Sequence, residues 1–230
     1  MENIVVLTGS GISAESGLKT FRDANGLWEG HDIMEVATPE GFTKNPSLVL
    51  DFYNQRRKQL LKVSPNAAHE ALTLLDELYN VQVITQNVDD LHERAKTKNV
   101  LHLHGELLKV RSTEPNSEPM HWKKDIVLGD VCEKGYQLRP HIVWFGEAVP
   151  MLDRAIEITR EASILIIVGT SMQVYPAASL IDYVSDSIQI YFIDPKPSIL
   201  ETSRKNLTII TETAVNGLPS LVASLIQKAL

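Results

Sequence analysis

Leu101-His102-Leu103-His104-Gly105 places two imidazoles two residues apart, with a glycine directly after the second. An imidazole titrates near neutral pH, so either ring could act as a general base or a metal ligand, and Gly105 would let a ligand come close to His104. The two rings are expected to point apart and not to act together. Other clusters carry groups that bind rather than react: Gln86-Asn87-Val88-Asp89, Gly169-Thr170-Ser171 and Asp194. Gly9-Ser10-Gly11-Ile12-Ser13-Ala14-Glu15-Ser16-Gly17 has the G-x-G-x-x-A spacing, in which glycines let the backbone approach a pyrophosphate at a helix N-terminus. No second strand with a ribose-binding acid follows at the usual distance, so a plain glycine-rich strand-to-helix turn stays open. Tyr53 and Arg56 lie three apart on a predicted helix and share a face. A phenol beside the planar donor fork of a guanidinium suits a carboxylate; a core tyrosine with a solvated arginine is the other reading of that pair.

The elements that position these groups are short, continuous apolar runs at 4–7, 81–85, 164–168, 188–193 and 207–210, rich in β-branched residues. Such runs suit strands buried on both faces of a parallel sheet. Apolar residues at Ala67, Ala71, Leu75 and Leu78 predict a helix, with Ser64-Pro65 as its start, and further helices are predicted over 46–61 and 150–162. Strands alternating with helices predict an α/β fold, a Rossmann-like doubly wound parallel sheet with a small inserted helical and irregular lobe. Four of the polar clusters each follow an apolar run. In open parallel sheets, ligands sit beyond the carboxyl ends of strands where strand order reverses. One catalytic domain over 1–230 is expected, with a sheet core about 1–30, 80–105 and 140–230, a helical insertion about 31–79 and a small polar lobe about 106–139.

Composition narrows the function. With 22 Lys+Arg against 29 Asp+Glu the formal charge is −7, which leaves no basic surplus for phosphate neutralisation and argues against a nucleic-acid partner. Hydrophobic residues at 43% of 230 suit a globular enzyme. Cys132 is the one cysteine, so neither an internal disulfide nor a site of several thiolates can form. The acidic start and the lack of any long apolar run predict a cytoplasmic protein without a membrane partner.

Those segments, together with Thr20-Phe21-Arg22 and Val143-Trp144-Phe145-Gly146-Glu147, occur in an order and spacing in which the chain resembles the sirtuins, NAD-dependent protein deacylases, over nearly its whole length. The resemblance implies NAD as co-substrate and acylated lysines of proteins as partners. It implies that Gly9, Ser10, Gly11, Ile12, Ala14 and Glu15 cradle the pyrophosphate, and that Thr20, Phe21 and Arg22 belong to a loop over the nicotinamide side. Gln86 and Asn87 would meet the nicotinamide ribose and Asp89 the nicotinamide amide. Gly169, Thr170, Ser171 and Asp194 would meet the adenosine half, and Trp28 and Ala214 also belong to the cofactor's surroundings. His104 would take a proton from a ribose hydroxyl, with Asn87 as its catalytic companion. Val143, Trp144, Phe145, Gly146 and Glu147 would line the acyl-lysine tunnel and pair with extended peptide. In the subgroup that removes succinyl and malonyl groups a Tyr-x-x-Arg pair reads the acyl carboxylate. Tyr53 and Arg56 match it, and Ala37 matches the small residue that widens that pocket.

The chain departs from the family in its small lobe. Most sirtuins hold a structural zinc there with four cysteines, whereas residues 111–139 here contain Cys132 alone, so no zinc is expected. Apolar packing of Trp122, Ile126, Val127 and Leu128 is expected in its place. Plain deacetylation, ADP-ribose transfer and an NAD-sensing module are the competing readings.

Overall fold

The computed structural model describes residues 1–20, 27–28, 30–197 and 204–229. In chain order, β1 (Asn3–Thr8) is followed by two short antiparallel strands, β2 (Leu27–Trp28) and β3 (His31–Asp32). Helices α1 (Ile33–Val36), α2 (Pro39–Lys44), α3 (Pro46–Leu60) and α4 (Ala67–Leu75) then lead to β4 (Asn80–Thr85). Next come α5 (Leu91–Arg94), β5 (Val100–His102), β6 (Gly105–Ser112), β7 (Met120–His121), β8 (Leu138–Ile142) and α6 (Leu152–Arg160). The chain closes with β9 (Ile164–Val168), β10 (Gln189–Ile193), β11 (Leu207–Ile210) and α7 (Ala214–Ala229).

Six strands form one parallel sheet in the order β11-β10-β9-β1-β4-β5. Strand order therefore reverses between β1 and β9, the expected doubly wound arrangement. β1 shows why the run reads as continuous. Ile4 and Val6 pack under α4 and α7 on one face, while Val5 and Leu7 pack into the opposite core with Ala155 and Phe192. The sixth strand, β5, carries only three half-buried residues and makes no visible apolar run.

Local chemistry sets the helix starts. Pro46 stands in the first turn of α3, where its missing N–H leaves no bond unmade, and the Asn45 side chain accepts from Leu48 N. The predicted start of α4 is corrected: Asn66, not Ser64, is the cap, its Oδ1 accepting from Ala68 N at 3.0 Å. The buried face shifts with it to Ala68, Ala71, Leu72 and Leu75, leaving Ala67 and Leu78 exposed. Helix α4 packs on the sheet, whereas α1 to α3 join the core that links the sheet to the small lobe.

That lobe is the antiparallel sheet β7-β6-β8, with an irregularity between Glu106 and Val110. Leu50, Val110, Ile126 and Leu138 form its core, with Phe42, Trp122 and Cys132 against them. Ile126 and Trp122 sit as expected. Val127 and Leu128 do not: both are more than half exposed, at 55% and 53%. Polar bolts complete the packing. Asn54 on α3 donates to Ile126 O and accepts from Ile126 N, and buried Arg57 donates to Leu107 O and Asn54 Oδ1.

Candidate active site

The carboxyl ends of β1 and β9 meet at the reversal of strand order. Gly11 N donates to Gly169 O at 2.8 Å, and Gly9 N donates to Val168 O at 3.1 Å. A Cβ on Gly9 would lie 2.7 Å from Gly169 O, and one on Gly11 would lie 2.6 Å from Gly169 Cα. These glycines therefore first allow two strand-end loops to touch. After Gly9 the chain makes two tight helical turns, Ser10–Ile12 and Ala14–Ser16, where the spacing predicts the start of a helix.

Beyond β4 the polar groups interlock. Asn87 Nδ2 donates to Gly9 O at 3.2 Å and to Ser13 Oγ at 3.3 Å, and Ser13 Oγ donates to Asp89 Oδ2 at 3.0 Å. Leu91 N donates to Asp89 Oδ1. Burial pushes the Asp89 carboxyl up to about 6, against those two hydrogen bonds. Gln86 Nε2 reaches across to Thr170 Oγ1 at 3.1 Å, tying the end of β4 to that of β9.

His104 Nδ1 donates to Gln86 O at 3.1 Å, which fixes the tautomer and leaves Nε2 as the basic nitrogen. Burial holds this imidazole below its ordinary range, partly offset by that bond. His102 is occupied differently: Nδ1 meets Asn87 O at 3.1 Å and Nε2 meets Glu93 Oε1 at 2.6 Å. Burial alone would lower His102, but the Glu93 carboxylate outweighs it and holds the ring above the usual value. On an unbroken strand residues two apart share a face, so alternation does not separate the histidines; β5 ends at His102 and the chain turns. Gly105 makes that turn, with φ +82 and His141 O where a Cβ would stand, so it serves the backbone and not a ligand.

A cavity of about 280 Å³ runs past these groups, lined by Gly9, Ser10, Gln86, Asn87, Asp89, His104, Gly169, Thr170 and Ser171. The same cavity is lined by Trp28, Ala37, Tyr53, Arg56 and all of Val143, Trp144, Phe145, Gly146 and Glu147. Tyr53 is fully buried, and burial pushes its phenol well above the ordinary range. Its oxygen accepts from Trp144 Nε1 at 3.0 Å. The Arg56 guanidinium lies 4.4 Å from the Phe52 ring centroid. Ala37 O accepts from Phe145 N, so the wall containing Ala37 is bonded to the 143–147 loop.

Several expected residues are not part of the cavity's lining. Gly11, Ile12, Ala14, Glu15, Thr20, Asp194 and Ala214 do not line the cavity. Glu15 Oε2 accepts from Val215 N at the start of α7, beside Ala214, and Asp194 Oδ1 accepts from Lys196 N. Phe21 and Arg22 lie outside the described residues. Ser13, which bridges Asn87 and Asp89, was not singled out from sequence; its position inside the glycine-rich stretch was the available signal.

Residues 9–176 match the Sir2 family. The chain belongs to that family. Over 229 residues it is 57% identical to an NAD-dependent protein deacylase of Helicobacter pylori, covering all of both chains. It is 50% identical over 232 residues to one of Bacteroides thetaiotaomicron, covering 98% of this chain and 99% of that one. The crystal structure of a Sir2 homolog–NAD complex superposes with a TM-score of 0.88 at 38% identity, covering 99% of this chain and 91% of that one.

The family's two cofactors fare differently against these residues. Close-packed glycine backbone, side-chain amides and a carboxyl at the reversal of strand order suit a dinucleotide. A four-thiolate zinc does not fit a chain with one cysteine, and among the described residues no group of three His, Cys, Asp or Glu converges. Among the described residues no helix is long and apolar enough to cross a membrane.

Proposed function

We propose that the protein is an NAD-dependent protein-lysine deacylase that favours succinyl and malonyl groups over acetyl. NAD, when bound, supplies a ribose carbon that nicotinamide leaves and the acyl oxygen attacks. The products are nicotinamide, O-acyl-ADP-ribose and free lysine, with one water completing the balance. The coarse activity is that of relatives 57% and 50% identical along their whole length. The acyl preference rests on one observation: Tyr53 and Arg56 line the same cavity as His104, Asn87 and Asp89.

His104 stands neutral with Nε2 unprotonated, the form a general base needs to take a ribose hydroxyl proton. Asn87 and Asp89 are held by Gly9, Ser13 and Leu91, so their remaining capacity is turned to the ligand without reorganisation. Tyr53 accepts from Trp144, so its own hydrogen is available to a carboxylate, and Arg56 supplies the charge. The 143–147 loop, whose Val143 N and Phe145 N are bonded to His104 O and Ala37 O, would offer an extended peptide its carbonyl groups. The partners in this reading are acylated lysines of cytoplasmic proteins, with no nucleic acid or membrane.

Mass spectrometry of a peptide panel with acetyl-, malonyl- and succinyl-lysine in NAD tests this. Higher kcat/KM on the two acidic groups, with the matching acyl-ADP-ribose, is the expected result. A preference for acetyl-lysine overturns the acyl assignment, and nicotinamide release independent of acyl-lysine overturns deacylation.

A further inference from the structure

The wall carrying Trp144 contains a charge cluster built on Arg139, which is not among the expected site residues. Arg139, on β8, is 8% exposed. Its guanidinium lies over the Trp144 indole, 3.3 Å from the ring centroid. Nη1 donates to Glu147 Oε1 at 2.7 Å, and Nη2 to Glu147 Oε2 at 3.1 Å and Ile142 O at 2.9 Å. Arg111, the cross-strand partner of Arg139, also donates to Glu147, and Trp144 N donates to Glu147 Oε2 at 2.8 Å. Glu147 thus serves as the anchor that fixes Arg139 on the indole. The indole passes this on, its Nε1–H donating to Tyr53 Oη at 3.0 Å.

We propose that Arg139 is a positioning residue for acyl selectivity, acting through Trp144 on the Tyr53 hydroxyl. This deepens the acidic-acyl reading and rests on it. A cation over an indole face withdraws density from the ring and strengthens its N–H as a donor. A phenol oxygen accepting that N–H turns its own hydrogen away from Trp144, and Tyr53 borders the cavity. The hydroxyl is thereby committed to donating. A succinyl or malonyl tail ends in a group that only accepts, whereas an acetyl methyl offers nothing to it. Arg111 and Arg139 against the single Glu147 also leave this wall one positive charge in surplus, which suits an anionic tail.

The test compares kcat/KM for succinyl- and acetyl-lysine peptides of one sequence, with NAD, on wild-type protein and on Arg139→Gln, Arg139→Lys and Trp144→Phe. Trp144→Phe keeps an aromatic ring beneath Arg139 while removing the N–H with the rest of the indole, so it remains informative if Arg139→Gln, which takes one of two arginines from the half-buried Glu147, fails to fold. The succinyl-to-acetyl ratio is expected to fall about tenfold in Arg139→Gln and Trp144→Phe, carried by KM rather than kcat. Arg139→Lys, which keeps the charge, should fall between these and wild type. A merely structural cluster would lower both substrates alike. A wild-type preference for succinyl that survives undiminished in the folded variants overturns the relay and leaves the Tyr53–Arg56 reading standing. A wild-type protein with no such preference overturns both.

Discussion

On the wall formed by the strand ends, Asn87, Ser13 and Asp89 are bonded to one another and to the backbone of Gly9 and Leu91. On the wall formed by α3 and the 143–147 loop, the chain of bonds runs through side chains, from Glu147 to Arg139 to Trp144 to Tyr53. The first wall is held by loops at the ends of strands buried on both faces of the sheet. The second is fixed by side chains on a small antiparallel lobe. Chemistry placed on the first and recognition on the second would let substrate choice drift while the reaction stays put.

Changes on each wall should separate accordingly. His104→Ala should lower kcat by about 10²- to 10⁴-fold on every acyl group alike, measured by formation of the deacylated peptide. A loss confined to one acyl group would break the division. Arg56→Met should cost desuccinylation about tenfold or more beyond its effect on deacetylation, since a charge-assisted hydrogen bond is removed. Equal losses on both would take Arg56 out of acyl recognition.

The pH response sharpens the first wall. Burial lowers His104 from 6.5, and the proposed base is its neutral ring, so kcat/KM should stay level above pH 6.5 and decline on the acid side. Asp89 runs the other way in stability. Its folded-state value of about 6 exceeds the unfolded 3.8, so the native state loses stability as pH rises through that window. Asp89→Asn should therefore raise stability at pH 7 by up to about 3 kcal/mol and leave it unchanged below pH 4, as read by Tm at the two pH values. Its activity should fall at the same time. The smallest effect belongs to Lys58→Ala, whose partner Asp125 is exposed; chemical denaturation should register a change within about 0.5 kcal/mol.

The strand-end wall was legible because strands such as β1 and β9 are apolar on both faces and end abruptly in glycine or polar residues. Helical spacing put Tyr53 and Arg56 on one face, but only the family resemblance preferred an acyl site to a core tyrosine with a solvated arginine. The Arg139–Glu147 hub was not, because it exists only where the irregular β6–β8 pairing brings residues 111, 139 and 147 together. Val127 and Leu128 misled for a related reason. Apolar side chains in an irregular lobe do not announce which of them turns inward, and Ile126 alone of the three does. The packing role of the glycines was not legible: Gly105 makes room for the His141 backbone, and Gly11 for that of Gly169.

A crystal structure with an ADP-ribose moiety and a succinyl-lysine peptide bound together tests the two-walled cavity most directly. The account predicts the succinyl carboxylate within hydrogen-bond reach of both the Tyr53 hydroxyl and the Arg56 guanidinium, with His104 Nε2 facing a hydroxyl of the nicotinamide-side ribose. A carboxylate turned to solvent, or His104 directed away from that sugar, would contradict it.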